Sequence, residues 1–441
     1  MSKQKINVIG AGLAGCEAAW ILANSGISVS LYEMKPTKRS PAHHSDNFCE
    51  LVCSNSLKAA RIESAAGLLK EEMRRLGSLT MEAAKETSVG AGGALAVNRD
   101  DFSKYITEKI KNHPNITVIN KEITDIDFIE PTIIATGPLT SDLLAEKIRE
   151  MCGDSLSFYD AAAPIVTRES LDMSVVFAAS RYGRGDDDYF NCPFNKEEYT
   201  EFYNALVSAE SVELKEFEKN APTVYEGCMP IEIMAKRGED TIRFGPLKPV
   251  GLRDPRTDKR PWAVVQLRKE NAEGSLLNIV GFQTNLKFPE QKRVFSMIPG
   301  LKDAQFVRYG VMHRNTFINS PKVLTYNMNL KENPHIFFAG QITGVEGYIE
   351  SAASGIWAGI NAKLFLENQQ IAPLPKETML GALINCITDE TVVDFQPMGS
   401  NMGILPDLPE KIKGKQERYA ALSQRALCKL DEFIISELRG E

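Results

Sequence analysis

The strongest constraint on the fold is a glycine-rich turn near the start of the chain. A short apolar strand runs into Gly10-x-Gly12-x-x-Gly15, a helix follows, and a second strand ends on Glu33. Gly10 permits a tight turn, Gly12 lets a pyrophosphate approach the backbone, and Gly15 lets the helix pack closely on the strand. An acidic residue about 20 positions later accepts from a ribose. The predicted dinucleotide-binding residues are Gly10, Ala11, Gly12, Leu13, Ala14, Gly15 and Glu33.

Two further segments favour FAD over NAD as the dinucleotide. Residues 132–137 are typical of a buried strand that returns under the nucleotide and ends at Gly137. Residues 336–340 predict another such strand, followed by a glycine-rich turn and a small-residue helix from about Tyr348. Ordinary turns of a doubly wound sheet are the alternative. The additional predicted cofactor-binding residues are Gly137, Gly340, Gln341, Glu346 and Tyr348.

Composition is typical of a globular enzyme. The 441 residues, 43% of them hydrophobic, are enough for two or three domains. No apolar run reaches the roughly 18 residues that span a bilayer, and a first strand starting by Ile6 leaves no room for a signal peptide. We therefore expect a cytoplasmic protein. Its eight cysteines and five histidines lack metal-ligand spacing, so we predict reduced thiols and no metal site.

The order of these segments predicts an α/β, Rossmann-like FAD-binding domain that is interrupted by a smaller α+β insertion domain. Residues 1–160 form its first part, with a predicted helical stretch over 57–76. Over 161–325, short β-like runs such as TIRFGP and AVVQL alternate with turn residues and predict a mixed or antiparallel sheet. Residues 326–441 complete the FAD-binding domain and add C-terminal helices.

Charge is unevenly distributed. Residues 231–330 hold 17 Lys and Arg against 9 Asp and Glu, a net of +8 in a chain of net −7. A solvated surface is one explanation, and a nucleic-acid contact is the other. Residues 186–220 are acidic and predict a solvated helical face. The basic candidates for a phosphate contact are Arg243, Lys248, Arg253, Arg256, Lys259 and Arg260.

Two cysteines stand in settings that suit reactive thiols. Cys53 lies in a polar loop, CELVCSNSLK, that should pass near the nucleotide because it follows the second strand. Cys228 lies in YEGCMPIE, with glycine before it and proline two residues after it. Other cysteines, such as Cys16 on the first helix, are more typical of small core residues. A redox disulfide between Cys53 and Cys228 is an alternative, although no CxxC motif supports it.

Five segments together resemble one family. GAGLAGCEAAW, ELVCSNSLKA, YEGCMPIE, FGPLKPVGL and GQITGVEGYIESAASG are similar to the folate- and FAD-dependent tRNA uracil-5-methyltransferases, the TrmFO family, over essentially the full length. The related GidA (MnmG) flavoproteins share the FAD motifs. A GidA-like chain would, however, run well past 441 residues.

The resemblance implies a reaction. The expected product is 5-methyluridine in the T loop of tRNA, with 5,10-methylenetetrahydrofolate as carbon donor. Reduced FAD carries the methylene and reduces it, and NAD(P)H restores the flavin. A thiolate must first add to uracil C6, and we assign this to Cys228, with Cys53 as a second thiol whose role is exchangeable with it. Tyr348 is expected to stack near the flavin or pterin, Gln341 and Glu346 to bond ring edges, and His313 and Arg314 to contact folate or RNA.

Other functions stay open from the sequence. The same chemistry on a ribosomal RNA uridine fits equally well. An FAD-dependent NAD(P)H oxidoreductase acting on a small molecule would explain the flavin motifs but not the basic segment. A non-catalytic RNA-binding flavoprotein would explain the charge but not Cys228.

Overall fold

The architecture comes from a computed structural model of the chain. It describes residues 4–40, 42–153, 156–161, 163–183, 188–212, 229–269, 274–310, 312–392, 395 and 397–439, with backbone only for 156–161, 312–316 and 439. The strands are β1 Lys5–Ile9, β2 Ser28–Glu33, β3 Ser56–Ala59, β4 Ser88–Val89, β5 Ala94–Val97, β6 Ile116–Asn120, β7 Thr132–Ile134, β8 Leu156–Ala161, β9 Ile165–Thr167, β10 Phe177–Ala178, β11 Tyr189–Phe194, β12 Ala263–Lys269, β13 Leu276–Ile279, β14 Phe306–Arg308, β15 Met312–Phe317 and β16 Ile336–Phe338.

The helices fall between and after these strands. They are α1 Leu13–Asn24, α2 Ala65–Arg75, α3 Leu79–Glu86, α4 Arg99–Lys111, α5 Asp142–Cys152, α6 Lys196–Ser208, α7 Ile231–Lys236, α8 Glu239–Phe244, α9 Phe288–Phe295, α10 Ser320–Val323, α11 Tyr348–Leu366, α12 Met379–Thr388 and α13 Lys415–Phe433. No helix in the described part of the chain is long and apolar enough to cross a membrane.

The first sheet is parallel and has the order β16-β7-β1-β2-β6. Its central strand β1 is buried from Ile6 to Ile9 because helices cover both of its faces. The last strand in sequence, β16, pairs with β7 at one edge, so residues near 336 complete a sheet begun at residue 5. This is the Rossmann-like fold that the glycine-rich turn predicts.

The second sheet is antiparallel and has the order β10-β11-β12-β13-β9-β14. It has a separate core in which Phe194, Phe202, Phe282 and Phe295 are packed together with the buried face of α6. This separate sheet, with its own helices, confirms the predicted α+β insertion. The boundaries of the insertion at residues 161 and 325 stay a prediction. A two-stranded ladder, β8 with β15, and a three-stranded one, β3-β5-β4, make up the rest.

Buried carboxylates hold two helix N-termini. Glu17 accepts from the backbone amides of Leu79 (3.1 Å) and Thr80 (2.8 Å) at the start of α3. Glu72 accepts from the amides of Met379 (2.7 Å) and Leu380 (2.8 Å) at the start of α12. Each carboxylate satisfies amides that lack a partner within the helix. Burial nevertheless raises the pKa of Glu72 to about 7.

Helices α1 and α11 approach each other more closely than side chains would allow. A Cβ built on Gly355 would lie 2.2 Å from the carbonyl oxygen of Ala14, and one on Gly359 would lie 3.1 Å from the backbone of Ala18. The glycines therefore permit backbone-to-backbone contact between α1 and α11.

Three sequence predictions need correction. The TIRFGP run is not a strand, because residues 239–244 form α8, with Glu239 and Asp240 favouring its N-terminus. The predicted helical stretch over 57–76 is helical only from 65 to 75, where Ser64 caps α2, and residues 56–59 form β3. Residues 186–220 are only partly helical, since 189–194 form β11.

We expect Gly355→Ala to lower the free energy of unfolding by about 1–3 kcal/mol, because the new methyl group would force α1 and α11 apart. Gly359→Ala is the matched control: its closest contact is looser, so we expect a smaller loss, partly offset by the better helix propensity of alanine. Denaturant unfolding of both variants measures the difference. Equal stability of the two variants would contradict the proposed packing constraint.

Candidate active site

A cleft of about 1300 Å³, including space open to solvent, lies at the carboxyl ends of the parallel strands. This is where open α/β sheets bind ligands. The cleft brings together both glycine-rich turns and the Cys53 loop. Its lining includes these predicted residues: Gly10, Ala11, Gly12, Leu13, Ala14, Glu33, Gly137, Gly340, Gln341, Tyr348 and Cys53.

The first turn has the geometry of a phosphate cradle. Gly10 has a φ of 100°, which favours glycine, and a Cβ there would lie 2.6 Å from the carbonyl oxygen of Ala135. A Cβ on Gly12 would meet nothing within 4 Å, and Gly12 caps α1 without a side-chain hydrogen bond. The turn therefore leaves space and free helix amides where an anion can bind. Gly15 does not line the cleft, because it packs against Gly10 instead.

Glu33 is tied to the backbone of the same turn. Its carboxylate accepts from the amides of Ala11 (2.9 Å) and Lys35 (3.0 Å). A carboxylate offers about four acceptor positions, so two remain for ribose hydroxyls. His43 and Lys35, which the sequence analysis did not identify, also line the cleft. Burial, followed by the charge of Lys35, lowers the pKa of His43.

The second turn supplies the opposite wall. Gly340 donates its amide to the Ser354 hydroxyl (2.8 Å) and has a φ of 85°. Gln341 donates to the carboxylate of Glu346 (2.8 Å), which is buried beside the cleft and does not line it. The pair fixes the orientation of the Gln341 amide. Both residues stay candidates for bonds to the edge of a ring system.

Tyr348 holds the loop that carries Cys53. Its hydroxyl oxygen accepts from the backbone amides of Cys53 (2.7 Å) and Ser54 (3.4 Å). Burial, followed by the nearby Cys53 thiol, raises the pKa of Tyr348 well above its ordinary value. The phenol is thus neutral at physiological pH. Tyr348 connects the start of α11 to the thiol loop.

The second sheet holds the same loop from the other side. Arg268 of β12, only 7% exposed, donates to the Ser54 hydroxyl (2.6 Å) and to the Asn55 side-chain oxygen (3.0 Å). Asn55 is fully buried and donates to the carbonyl oxygens of Val97 (3.1 Å) and Lys269 (2.7 Å). The loop next to Cys53 therefore depends on hydrogen bonds with α11, with β5 and with β12 of the second sheet. The sequence contains no motif that signals Arg268.

Some basic side chains of this segment are engaged by contacts within the protein. Arg256 makes a two-pronged ion pair with Asp254 (2.9 and 2.7 Å). The guanidinium of Arg243 stacks 3.8 Å from the ring centre of Trp262. Arg253 donates to the carbonyl oxygen of Asp258 (3.0 Å). Lys248, Lys259 and Arg260 are exposed.

Some predicted residues cannot be placed. Cys228 lies outside the described residues. His313 and Arg314 lie on β15, whose backbone pairs with β8, and their side chains are outside the described part. Among the residues that are described, no group of three His, Cys, Asp or Glu side chains could hold a metal ion.

The chain is similar in sequence to proteins of known name. The family model "Glucose inhibited division protein A" (GIDA) matches residues 5–370. A protein of Desulforamulus reducens named methylenetetrahydrofolate-tRNA-(uracil-5-)-methyltransferase TrmFO is 58% identical over 438 residues, which are 99% of both chains. The TrmFO of Heliobacterium modesticaldum is 59% identical over 434 residues, 98% of each chain.

A solved structure supports the fold. The GidA of Aquifex aeolicus superposes with a TM-score of 0.70 at 17% identity, covering 98% of this chain and 73% of GidA. At that identity the similarity concerns the fold alone. The family model covers most of the chain, and the TrmFO relatives match it over nearly its whole length. The chain therefore belongs to the GidA family and, within it, to the TrmFO family.

Proposed function

We propose that this chain is an enzyme that forms 5-methyluridine in the T loop of tRNA. The carbon donor is 5,10-methylenetetrahydrofolate, the bound cofactor is FAD, and the electron source is NAD(P)H. The observation that carries the proposal is that Cys53 lines the same cleft as both glycine-rich turns. The TrmFO names of full-length relatives support the substrate and the donor. A cytoplasmic location is part of the proposal.

The chemistry requires a thiol. Uracil C5 becomes nucleophilic only after a nucleophile adds to C6, and a thiolate is suited to that addition. We assign the addition to Cys228, and to Cys53 the protection of that thiol or removal of the C5 proton. The opposite assignment of the two thiols is chemically equivalent, and the variants below distinguish them.

The described residues are suited to bind FAD and to position the Cys53 loop. The free amides at the start of α1 are suited to the pyrophosphate of FAD, and Glu33 to its adenosine ribose. Reduced flavin, when bound, supplies the electrons that convert a folate-derived methylene into a methyl group. Tyr348 and Arg268 keep the Cys53 loop at the cleft wall by hydrogen bonds to its backbone and to its polar side chains.

The central experiment follows a labelled carbon. Purified protein is incubated with labelled 5,10-methylenetetrahydrofolate, NADH or NADPH, and either unmodified tRNA or ribosomal RNA, and nucleosides are then analysed. We expect label in 5-methyluridine of tRNA. Label only in ribosomal RNA would change the substrate, and NAD(P)H oxidation without labelled RNA would favour a small-molecule oxidoreductase.

Cys228→Ala and Cys53→Ala should each lower RNA methylation by more than about a thousandfold while FAD remains bound, because each removes a reacting thiol. Cys428→Ala is the control, since that thiol is exposed on α13, away from the cleft. A variant that still forms a covalent adduct with RNA retains the C6 nucleophile. Full methylation by Cys228→Ala would refute its assignment.

Gly12→Ala should lower the bound flavin per protein at least tenfold without loss of stability. The added methyl group has open space in the protein, but it would stand where the pyrophosphate approaches the backbone. Gly93→Ala is the matched control, because its Cβ would also meet nothing within 4 Å and Gly93 does not line the cleft. Flavin absorbance of the purified variants measures the effect. Normal flavin content in Gly12→Ala would place the pyrophosphate elsewhere.

Arg268→Met should lower kcat for RNA methylation by at least about tenfold with little change in the KM for RNA. The substitution removes the donors to Ser54 and Asn55, yet Arg268 is buried and does not line the cleft. Arg74→Met is the control, because Arg74 is exposed on α2 and pairs with Glu71 one turn away. A raised KM with unchanged kcat would instead show that Arg268 contacts RNA.

A further inference from the structure

Three aromatic rings form a parallel stack on the surface of the second sheet. The ring of Tyr309 lies between those of Phe306 (centroids 5.4 Å apart, planes at 7°) and Phe288 (4.9 Å, 16°). We call these three residues the aromatic stack. Phe306 comes from the edge strand β14, and Phe288 begins helix α9.

The outer end of the aromatic stack is open to solvent. Phe288 is 51% exposed. Phe306 packs against the core of the second sheet, whereas Phe288 and Tyr309 belong to neither of the two hydrophobic cores among the described residues. The stack therefore extends from the core into water, a costly position for an aromatic ring that has no ligand.

The surroundings of the aromatic stack are basic. Residues 287–309 contain five Lys and Arg and two Asp and Glu. Lys292 is exposed and lies one helical turn after Phe288 on the same face of α9. Lys302 is also exposed, on the segment between α9 and β14. An anionic ligand is favoured here over a neutral apolar one.

The aromatic stack lies next to the points where the chain enters and leaves the segment that contains Cys228. Val212, the last described residue before that segment, donates its amide to the carbonyl oxygen of Asn285 (2.9 Å). On the other side, Ile231 donates to the carbonyl oxygen of Gln283 (2.8 Å). Both anchors are thus within five residues of Phe288. The stack is close in the fold to the described flanks of the proposed nucleophile.

We propose that the aromatic stack is an RNA-binding site in which an unpaired base of the substrate stacks on Phe288. Exposed aromatic rings beside cations are how proteins bind single-stranded nucleic acid, because every base has a flat π face and every nucleotide has a phosphate. The site rests on the proposed function, in that its ligand is the RNA to be methylated. A T-loop base must leave its stack to be modified, and a neighbouring unstacked base then needs a new partner.

Phe288→Leu tests the stacking directly. Leucine retains an apolar side chain but has no π face, so we expect the Kd for an unmodified tRNA transcript to rise about 5-fold to 150-fold. The slope of log Kd against log salt should stay unchanged, because no cation is removed. Lys292→Ala should instead reduce that slope by about one. Tyr419→Leu is the matched control, an aromatic residue beside Lys415 and Arg418 on α13 but outside the stack.

Phe288→Trp supplies a second readout. It preserves a stacking face, so RNA affinity should stay within about threefold of the original, and tryptophan emission should be quenched when the tRNA binds. Original affinity in Phe288→Leu, or equal weakening in the Leu and Trp variants, would overturn the proposal. A change of oligomeric state in Phe288→Leu without a change in RNA affinity would assign the surface to a second copy of the chain and would also overturn it.

The RNA-binding test of the aromatic stack does not depend on catalytic turnover. RNA binding is measured without folate or NAD(P)H, whereas the proposed function is judged by 5-methyluridine formation in the unsubstituted protein. Binding that depends on Phe288 in a protein that makes no 5-methyluridine would refute the proposed function alone. Methylation with Phe288-independent binding would refute the aromatic stack alone.

Discussion

The close packing of α1 against α11 requires a glycine at position 355. A Cβ atom there would lie only 2.2 Å from the carbonyl oxygen of Ala14, too close for any other residue without a shift of the helices. Because this contact involves the backbone of α1, no change of the side chain at position 14 can relieve it. The close approach packs the first turn of α1 against α11 two turns after its start. Both helix N-termini lack a side-chain cap and both adjoin the cleft. The cofactor site thus depends on a contact between residues that are far apart in sequence.

Much of the parallel-sheet layer could be predicted from local sequence. The strands β1, β7 and β16 are apolar runs, each followed by a glycine. These glycines, Gly10, Gly137 and Gly340, have positive φ angles that other residues rarely adopt, so the turn after each strand can be recognised from the sequence. The cleft residues on those turns, from Gly10 to Tyr348, follow directly because the carboxyl ends of parallel strands share one edge. The two later segments favoured FAD over NAD, and family resemblance then specified the reaction.

The rest could not be predicted because it depends on tertiary partners. The TIRFGP run has strand-like residues, but short apolar runs are ambiguous, and here Glu239 and Asp240 at the helix start decided for α8. Composition counts Arg243 and Arg256 as free positive charges, whereas the fold engages them with Trp262 and Asp254. Nothing in β12 distinguishes Arg268 from a solvent-facing residue, since its role depends on a loop more than 200 residues earlier.

The hydrogen bonds around Cys53 have a consequence for how the protein is made. The loop is synthesised early, but its partners in Arg268 and Tyr348 are 214 and 295 residues away in sequence. Until those residues leave the ribosome, the hydrogen bonds that hold the loop cannot form, so the loop is fixed only after most of the chain has been synthesised. The Cys53 loop is therefore among the last parts of the cleft to be fixed in place, and a chain interrupted before residue 348 would lack the Tyr348 hydroxyl that holds it.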